Sequence, residues 1–420
     1  MGGIMGYSTF TCPVEKDCGG CEWLAVPYPI QLKRKTQDMQ HLFEPLTSKY
    51  GCSILPIIGM ENPQSYRYKA VTPLAPGKNR SVQCGFFKRG THTIVRCSKC
   101  LVEAPDAREF LNKVTFIAEK LRISAYNEDT HEGYLRHLVL RIAYATQDIM
   151  LTVVTSSEEF PRVDEFIERV MKIEIRGRHI TTLAQNINPR ITNAILGSKT
   201  KILAGKPTLT DKLLGCTFEL SPTSFYQTNP IQTEKLYQQA IKQAELAPGD
   251  IVMDAYCGCG TIGLCAAQLA RRQGFSIKLI GVERVECAIE NARRNSQLND
   301  LENHARFIAR DATIFMQHEA LEGNPIDILF MDPPRAGATY DFIQAVSNIK
   351  PRRIVYISCN PVTQMRDLTL FGSLGYKPIS ITPIDMFPHT KHVETIACLD
   401  HCCEFDSDKT RIMTRKQFFF

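Results

Sequence analysis

The chain has 420 residues, of which 44% are hydrophobic and 22% charged, and its formal net charge is +6. This composition excludes a disordered, collagenous or small disulfide-stapled protein, and the length allows more than one domain. No apolar run is long enough to span a bilayer, and the opening residues show neither a basic stretch nor an apolar core of a signal peptide. We therefore expect a cytoplasmic protein, whose mild basicity is compatible with a polyanionic partner.

The chain contains 16 cysteines. In a long chain without a secretion signal, so many cysteines argue against a disulfide framework and for metal ligands or catalytic thiols among them. Cys52, Cys265 and Cys398 lie in apolar surroundings, so we interpret them as small buried hydrophobic residues.

The first half of the chain predicts a cysteine-rich start followed by mixed helices and strands. Residues 1–26 are rich in Cys and Gly and show no periodicity, whereas Pro29–Lys49 has the apolar spacing of a helix. Further on, the patterns predict two more helices, at 107–121 and 161–171, and strands at 53–59, 66–74, 81–87, 135–144, 148–155 and across 180–220. This order predicts an α+β region over residues 1–221.

From about Pro222 onward, strands and helices alternate along the chain. The patterns predict helices at 231–244, 261–272 and 285–297, and strands at 251–256, 279–283, 306–309, 326–331 and 353–358. Such alternation predicts an α/β fold with an open, largely parallel, Rossmann-like sheet covered by helices on both faces, over residues 222–420.

A turn with two glycines follows the first strand of this second half. Gly258 and Gly260 allow the backbone to approach a ligand closely, and the helix that begins at Thr261 offers unpaired N–H groups. The pattern Asp-x-x-x-Gly-x-Gly is typical of S-adenosylmethionine folds, whose ligands lie at the carboxyl ends of the strands. The glycine pair alone is also compatible with a structural turn, but an acidic residue ends each of three later strands: Glu283, Asp311 and Asp332.

Three short motifs lie at or beyond the ends of the last predicted strands: Asp332–Gly337, Ser358–Pro361 and His389–Glu394. Taken singly, each has an ordinary explanation. A cysteine at a strand end, such as Cys359, is usually buried, and a glutamate near an apolar run, such as Glu394, is usually solvated. An Asp-Pro-Pro turn also occurs in methyltransferases that modify exocyclic amines and use no cysteine.

Together with Asp385–Thr390 and Phe225–Asn229, these motifs resemble the RNA 5-methyluridine methyltransferase family, and the resemblance covers most of the chain. It implies an S-adenosylmethionine-dependent RNA (uracil-C5)-methyltransferase with Cys359 as nucleophile and Glu394 as base. It also implies six residues that line the S-adenosylmethionine pocket: Gln227, Tyr256, Thr261, Glu283, Asp311 and Asp332. Two of these, Thr261 and Asp311, stand where relatives often carry asparagine.

The chemistry of this reaction agrees with the residues present. C5 of uracil is a poor nucleophile, and addition of a thiolate at C6 converts the ring into an enolate whose C5 can attack a methylsulfonium. A base must then remove the C5 proton so that the thiolate can leave. A cysteine, a base and a sulfonium donor around one pocket are therefore the minimum set. Because His389 and His392 are not needed for it, we interpret them as structural histidines.

A cysteine cluster opens the chain with Cys12, Cys18 and Cys21, and Cys97 and Cys100 follow later. Closely spaced thiolates suit either an iron–sulfur cluster or a four-cysteine zinc site, and the spacing does not decide between them. The family resemblance implies a [4Fe–4S] cluster whose fourth ligand lies in a Cys-x-Val-x-Ala-Pro-like stretch. We expect its role to be structural, because four thiolates leave no open iron site. We therefore expect Cys100 rather than Cys97 to be that ligand, although Cys97 is the alternative.

Basic and aromatic residues alternate at Tyr66–Lys69 and cluster at Phe86–Arg89, and Lys33–Lys35 adds a third basic patch. Phosphate contacts and base stacking require such residues, although solvated faces are the ordinary explanation of each patch. Many relatives begin with a small β-barrel before the cysteines, whereas eleven residues precede Cys12 here. We therefore expect the α+β region and the catalytic face to bind RNA, with no obligate protein partner.

The cysteine cluster makes 23S ribosomal RNA the expected substrate, because the resembling transfer RNA enzymes lack such a cluster. A uridine in the transfer RNA T-loop is the alternative within the family. Two other classes remain possible: an exocyclic-amine methyltransferase without a cysteine nucleophile, and a non-catalytic, cluster-bearing RNA-binding protein.

Overall fold

The computed structural model describes residues 9–146 and 148–402. The helices of the described residues are α1 (Tyr28–Tyr50), α2 (Ala107–Lys120), α3 (Val163–Met171), α4 (Pro230–Ala244), α5 (Thr261–Arg272), α6 (Glu286–Leu298), α7 (Ala312–Glu322), α8 (Tyr340–Ile349) and α9 (Pro361–Ser373). None of them is long and apolar enough to cross a membrane.

The strands of the first half are β1 (Ser53–Ile54), β2 (Lys69–Pro76), β3 (Val82–Cys84), β4 (Phe86–Phe87), β5 (Ile94–Val95), β6 (Leu135–Ile142), β7 (Ile149–Thr155), β8 (Glu174–Ile175), β9 (Arg178–His179), β10 (Thr182–Ile187), β11 (Lys199–Gly205), β12 (Leu209–Leu213) and β13 (Cys216–Leu220). Those of the second half are β14 (Ile251–Ala255), β15 (Lys278–Glu283), β16 (Ala305–Ala309), β17 (Ile328–Met331), β18 (Arg353–Ser358), β19 (Tyr376–Ile384) and β20 (Glu394–His401).

The second half forms most of an eight-stranded sheet with the order β1-β19-β20-β18-β17-β14-β15-β16. The five strands β14 to β18 are parallel to one another, as predicted. β14 and β17 are buried along their whole length, because helices cover both faces of the sheet. The sequence patterns did not predict β19 and β20, which extend the sheet with β20 antiparallel to both of its neighbours.

The first half contains a second sheet with the order β11-β10-β7-β6-β2-β3, in which β7 and β10 are parallel and the other neighbours antiparallel. α2 and α3 pack on this sheet and bury an apolar core that includes Phe110, Leu111 and Phe166. This α+β unit is here called the central domain.

Two parts of the first half pack on the eight-stranded sheet instead. Strand β1 pairs in parallel with β19, and α1 lies against α9 and β19. The β12–β13 hairpin packs its apolar side into the core that contains α4 and α5. The predicted boundary between residues 221 and 222 stays a prediction, since elements from both sides of it meet in one core.

Candidate active site

The turn after β14 places its backbone at the edge of the sheet where the parallel strands have their carboxyl ends. Tyr256 has a positive φ of 64°, which is rare for a residue with a side chain, and Gly258 and Gly260 have φ of 54° and 80°. The buried Asp254 accepts a hydrogen bond of 3.0 Å from the backbone N–H of Gly263 in the first turn of α5. This bond fixes the strand to the helix, so the turn between them is held in its strained form.

Three carboxylates follow the ends of the next parallel strands. Glu283 ends β15, and its Oε1 accepts a hydrogen bond from the backbone N–H of Val285 at 3.0 Å. Asp311 follows β16 and caps α7 by accepting from two backbone N–H groups, those of Thr313 and Ile314. Asp332 follows β17. Because parallel strands end at one edge of a sheet, these acids meet in a single place.

One cavity of about 570 Å³ opens at this edge of the sheet. Seven of the residues proposed from the sequence line it: Gln227, Tyr256, Glu283, Asp311, Asp332, Cys359 and Glu394. Thr261 is not among the lining residues. Its hydroxyl group lies 2.9 Å from the hydroxyl group of Tyr237, so its predicted contact with the cofactor stays a prediction.

The register of two antiparallel strands places Cys359 opposite Glu394. Ser358 at the end of β18 pairs with Thr395 in β20, so the residue after Ser358 faces the residue before Thr395. Cys359 is half-buried, and Glu394 is only 4% exposed. A thiol and a carboxyl group therefore share one wall of the cavity.

The site raises the pKa of its acidic groups. Burial raises the pKa of Glu394 to about 8, Asp332 adds to that effect and Arg335 opposes it. Burial also raises the pKa of Asp332 to about 7. The pKa of Cys359 is raised by burial and by the charges of Glu394 and Asp332, while Arg335 lowers it. A nearby positive charge stabilises the ionised form of such buried carboxyl groups, so this cavity is suitable for a cationic ligand.

Sequence reasoning did not assign four further lining residues that affect the site. Arg335 supplies the positive charge beside Cys359, and Pro334 lies next to it in the wall. Phe225 is 67% exposed at the cavity, and Phe387 forms another part of the wall. All four belong to motifs that the sequence analysis had recognised. The sequence therefore indicated the motifs, but it did not indicate what each of these four residues does in the site.

A buried ion pair holds the loop that leads into Glu394. Lys35 Nζ in α1 lies 2.7 Å from Asp385 Oδ1, and neither side chain is exposed. The Tyr28 hydroxyl group donates to the other oxygen of Asp385 at 2.9 Å, and the backbone N–H of Phe387 donates to Oδ1 at 3.2 Å. The N-terminal helix therefore positions the loop that carries Phe387 and precedes Glu394.

His389 in the same loop is fully buried and serves packing. Its Nδ1 lies 3.1 Å from Nε2 of Gln31, and its Nε2 lies 2.8 Å from the carbonyl oxygen of Pro63. Since both ring nitrogens have partners, His389 is not available for proton transfer to a ligand.

A second cavity lies between the chain start and the central domain, and we call it the cysteine cavity. Its wall contains every cysteine of the predicted cluster: Cys12, Cys18, Cys21, Cys97 and Cys100. Burial raises the pKa of Cys21 to about 11 and that of Cys100 to about 12. Among the described residues, no group of three or more His, Cys, Asp or Glu side chains stands at metal-binding geometry.

A mixed α/β sheet with an acid-lined cavity at the carboxyl ends of its parallel strands is the architecture in which S-adenosylmethionine-dependent methyltransferases bind their methyl donor, and this chain has it. The profile of the tRNA (uracil-5-)-methyltransferase family matches residues 192–401. The chain is 38% identical to an RNA methyltransferase of Bacillus cereus over 388 residues, which is 92% of this chain and 82% of that protein. It is 37% identical to an RNA methyltransferase of Staphylococcus aureus over 386 residues, 92% of this chain and 83% of that protein. The chain belongs to the tRNA (uracil-5-)-methyltransferase family.

A solved structure extends this likeness to the three-dimensional fold. The tRNA (uracil-54, C5)-methyltransferase of Pyrococcus abyssi, in complex with S-adenosyl-L-homocysteine, superimposes with a TM-score of 0.72 at 26% identity. The match covers 93% of this chain and 87% of that one, so it includes both the central domain and the eight-stranded sheet.

Proposed function

We propose that the protein methylates C5 of a uridine in 23S ribosomal RNA, with Cys359 as nucleophile and Glu394 as base. The observation that carries the proposal is the opposition of Cys359 and Glu394 across the β18–β20 ladder, inside the acid-lined cavity. An exocyclic-amine methyltransferase needs neither residue, so this arrangement favours attack on the ring carbon.

The residues act in a defined order. The target uridine leaves the RNA stack to enter the cavity, so that Cys359 can reach C6. The thiolate forms an S–C6 bond and the electron pair of the C5–C6 double bond moves into the O4 enolate. When bound, S-adenosylmethionine would supply the methyl group: the C5–methyl bond forms as the sulfonium–methyl bond breaks, and S-adenosylhomocysteine is the leaving group. Glu394 then removes the proton from C5, the double bond re-forms and the S–C6 bond breaks, which releases the thiolate of Cys359.

The charges around Cys359 explain how its thiolate becomes available. The guanidinium group of Arg335 stabilises the thiolate, whereas the carboxylates of Asp332 and Glu394 oppose it. A cationic methyl donor beside Asp332 neutralises part of this negative field. Thiolate formation is therefore favoured when the donor is bound.

We also propose that Cys12, Cys18, Cys21 and Cys100 hold a [4Fe–4S] cluster. The supporting observation is Arg67, which lines the cysteine cavity and whose buried Nε has no hydrogen-bond partner among the described residues. A cluster held by four thiolates carries negative charge that such a group stabilises. The Cys97 thiol instead donates to the carbonyl oxygen of Lys99 at 2.6 Å, which favours Cys100 as the fourth ligand.

Four thiolates leave no open coordination site, so the cluster has a structural role in this proposal. The cysteines come from two distant parts of the chain, and the cluster joins the start of the chain to the loop before α2. The backbone N–H of Gly20 already donates to Sγ of Cys18 at 3.4 Å, a contact that suits a metal-bound sulfur.

A uridine in transfer RNA is the second candidate substrate, and the likeness to the Pyrococcus abyssi tRNA (uracil-54, C5)-methyltransferase favours it. The proposed cluster favours ribosomal RNA. The deciding experiment incubates anaerobically purified protein and labelled S-adenosylmethionine with unmodified 23S ribosomal RNA and, in parallel, with unmodified transfer RNA. Digestion of the RNA then identifies the methylated nucleoside.

We expect 5-methyluridine in ribosomal RNA and none with the Cys359→Ala variant. The same product in transfer RNA alone would keep the mechanism and overturn the substrate. A methyl group on an exocyclic amine, or 5-methyluridine formed by Cys359→Ala, would overturn the mechanism.

A further inference from the structure

A third, smaller cavity lies where the central domain meets the loop that enters α4. Lys69, Arg141, Asp211 and Tyr68 are among its lining residues. Gln227 lines it too, and Gln227 also lines the acid-lined cavity that contains Cys359 and Glu394, which we call the catalytic cavity. The two cavities are therefore neighbours that share one side chain. Free space in the smaller one amounts to about 10 Å³, which is room for one water molecule or one oxygen atom of a larger ligand.

Two positive side chains meet in this cavity. Lys69 in β2 and Arg141 in β6 are direct partners in an antiparallel ladder, so their side chains lie on the same face of the sheet. Arg141 is only 4% exposed. Burial and the charge of Arg141 lower the pKa of Lys69 to about 8.

The cations lack enough negative partners. Arg141 donates from Nη2 to the carbonyl oxygen of Ser224 at 2.7 Å, whereas its buried Nη1 has no partner among the described residues. The Lys69 ammonium group likewise has no hydrogen bond or ion pair with any residue that the structure describes. Asp211 is the one carboxylate among the residues lining this cavity, and its oxygens already accept from three backbone N–H groups. A buried guanidinium with a free N–H is costly unless something else binds there.

We propose that Lys69 and Arg141 bind one phosphate oxygen of the RNA strand that delivers the target uridine to the catalytic cavity. The proposal rests on the proposed function only in that RNA is the substrate. An anion supplies the missing acceptor for Nη1, and the flexible Lys69 stem can turn toward a phosphate at the mouth.

RNA suits this position better than a free anion for two reasons. The side chain of Tyr144, 44% exposed, packs edge to face on Tyr68 with ring centroids 5.1 Å apart, which leaves an aromatic surface for a base beside the cations. Arg141 also holds Ser224, the residue before Phe225 at the catalytic cavity. A phosphate bound by Arg141 is therefore connected through Ser224 to Phe225, a residue that lines the cavity that receives the base.

The test compares Lys69→Met, which removes the charge and keeps most of the stem, with Lys69→Arg, which keeps the charge. Lys377→Met is the matched control, because Lys377 is exposed and lies in β19 next to Tyr376, at the end of the sheet far from Glu394. Filter binding measures affinity for transcribed 23S ribosomal RNA over a series of salt concentrations, and a thermal melt measures Tm.

We expect Lys69→Met to weaken RNA binding by about tenfold, the usual effect of losing one charge-assisted hydrogen bond. The slope of log affinity against log salt should become shallower by about 0.7, since one phosphate contact is lost. Lys69→Arg and Lys377→Met should bind as the unaltered protein does. Because the charge of Lys69 is poorly compensated without RNA, Lys69→Met should keep or raise Tm and leave the affinity for S-adenosylmethionine unchanged.

Two results would overturn the proposal. One is an unchanged RNA affinity and salt slope in Lys69→Met; the other is a fall in Tm together with lost S-adenosylmethionine binding, which indicates a purely structural lysine. A Tm rise with inorganic phosphate that Lys69→Met abolishes, without any change in RNA binding, would replace RNA by a free anion. Because binding and salt slope are measured without product formation, a failure of the proposed methylation reaction shows separately, as absent 5-methyluridine with intact RNA binding.

Discussion

The catalytic cavity and the cysteine cavity are built from different kinds of backbone. Residues at the ends of parallel strands, together with the β18–β20 ladder, place the acids and Cys359 around the first cavity. The second is lined mainly by turns and loops around residues 12–21 and 97–103, with two isolated bridges among the described residues, Cys18 to Lys88 and Arg67 to Glu103. Ladder hydrogen bonds stabilise a site without any ligand, whereas loops with few such bonds open at a lower free energy and gain more from a ligand that joins them. We therefore expect the first site to persist when empty and the second to depend on the proposed cluster.

The largest effect should come from the catalytic cavity. Cys359→Ala removes the proposed nucleophile and should lower kcat/KM by at least about a thousandfold, as loss of a covalent catalyst does. S-adenosylmethionine binding should stay within about twofold, because the sheet that forms the pocket is unchanged. Steady-state kinetics and calorimetry measure the two quantities. The control is Cys287→Ala, an exposed cysteine in α6, and an equal loss of activity there would speak against a special role of Cys359.

Glu394→Gln keeps the shape of the side chain and removes the proposed base. We expect a loss of about a hundredfold to ten-thousandfold in turnover, the range of general base catalysis. Because the C5 proton then stays in place, the S–C6 bond cannot break and a covalent protein–RNA complex should accumulate. A denaturing gel detects this complex, and the double variant with Cys359→Ala should not form it. Absence of the complex in Glu394→Gln alone contradicts the assigned order of steps.

The cysteine cavity should respond in the opposite way, with a large effect on stability and little on the chemistry. Cys18→Ala or Cys100→Ala should lose most of the four iron and four sulfide atoms of a [4Fe–4S] cluster and melt at lower temperature. Iron and sulfide analysis with a thermal melt measures both. Cys97→Ala is the control and should keep its iron. Loss of iron in Cys97→Ala and retention in Cys100→Ala would reverse the ligand assignment.

A smaller, pH-dependent effect should appear in the binding of the methyl donor. Burial raises the pKa of Asp332 to about 7, so below that pH the carboxyl group must lose a proton before it stabilises a cation. The affinity for S-adenosylmethionine should therefore rise with pH up to about 7 and level off above about 8, by at most tenfold per pH unit. Calorimetry over this range measures the slope. Asp332→Asn should bind more weakly with a flatter profile, and an unchanged slope would exclude Asp332 as its source.

The chemistry-bearing motifs could be recognised because they are local. The strand, glycine turn and helix that surround Gly258 and Gly260 depend on neighbours in the chain, and α5 begins and ends at the predicted residues. Strand β18 likewise has the predicted bounds, which places Cys359 at a strand end. Helices α7, α8 and α9 were missed, since α7 and α9 lack a clear separation of apolar and polar faces around their buried residues.

The sequence by itself determined the parallel α/β sheet, the acids at its strand ends and the family to which the chain belongs. Only the tertiary structure decided that Cys359 faces Glu394, because the register of β18 on β20 joins residues far apart in the chain. It also decided that Lys35 forms an ion pair with Asp385. The register of β2 on β6 likewise places the two cations Lys69 and Arg141 side by side. Local pattern reports which face of an element is buried, whereas the partner across a ladder or a core depends on how the whole chain packs.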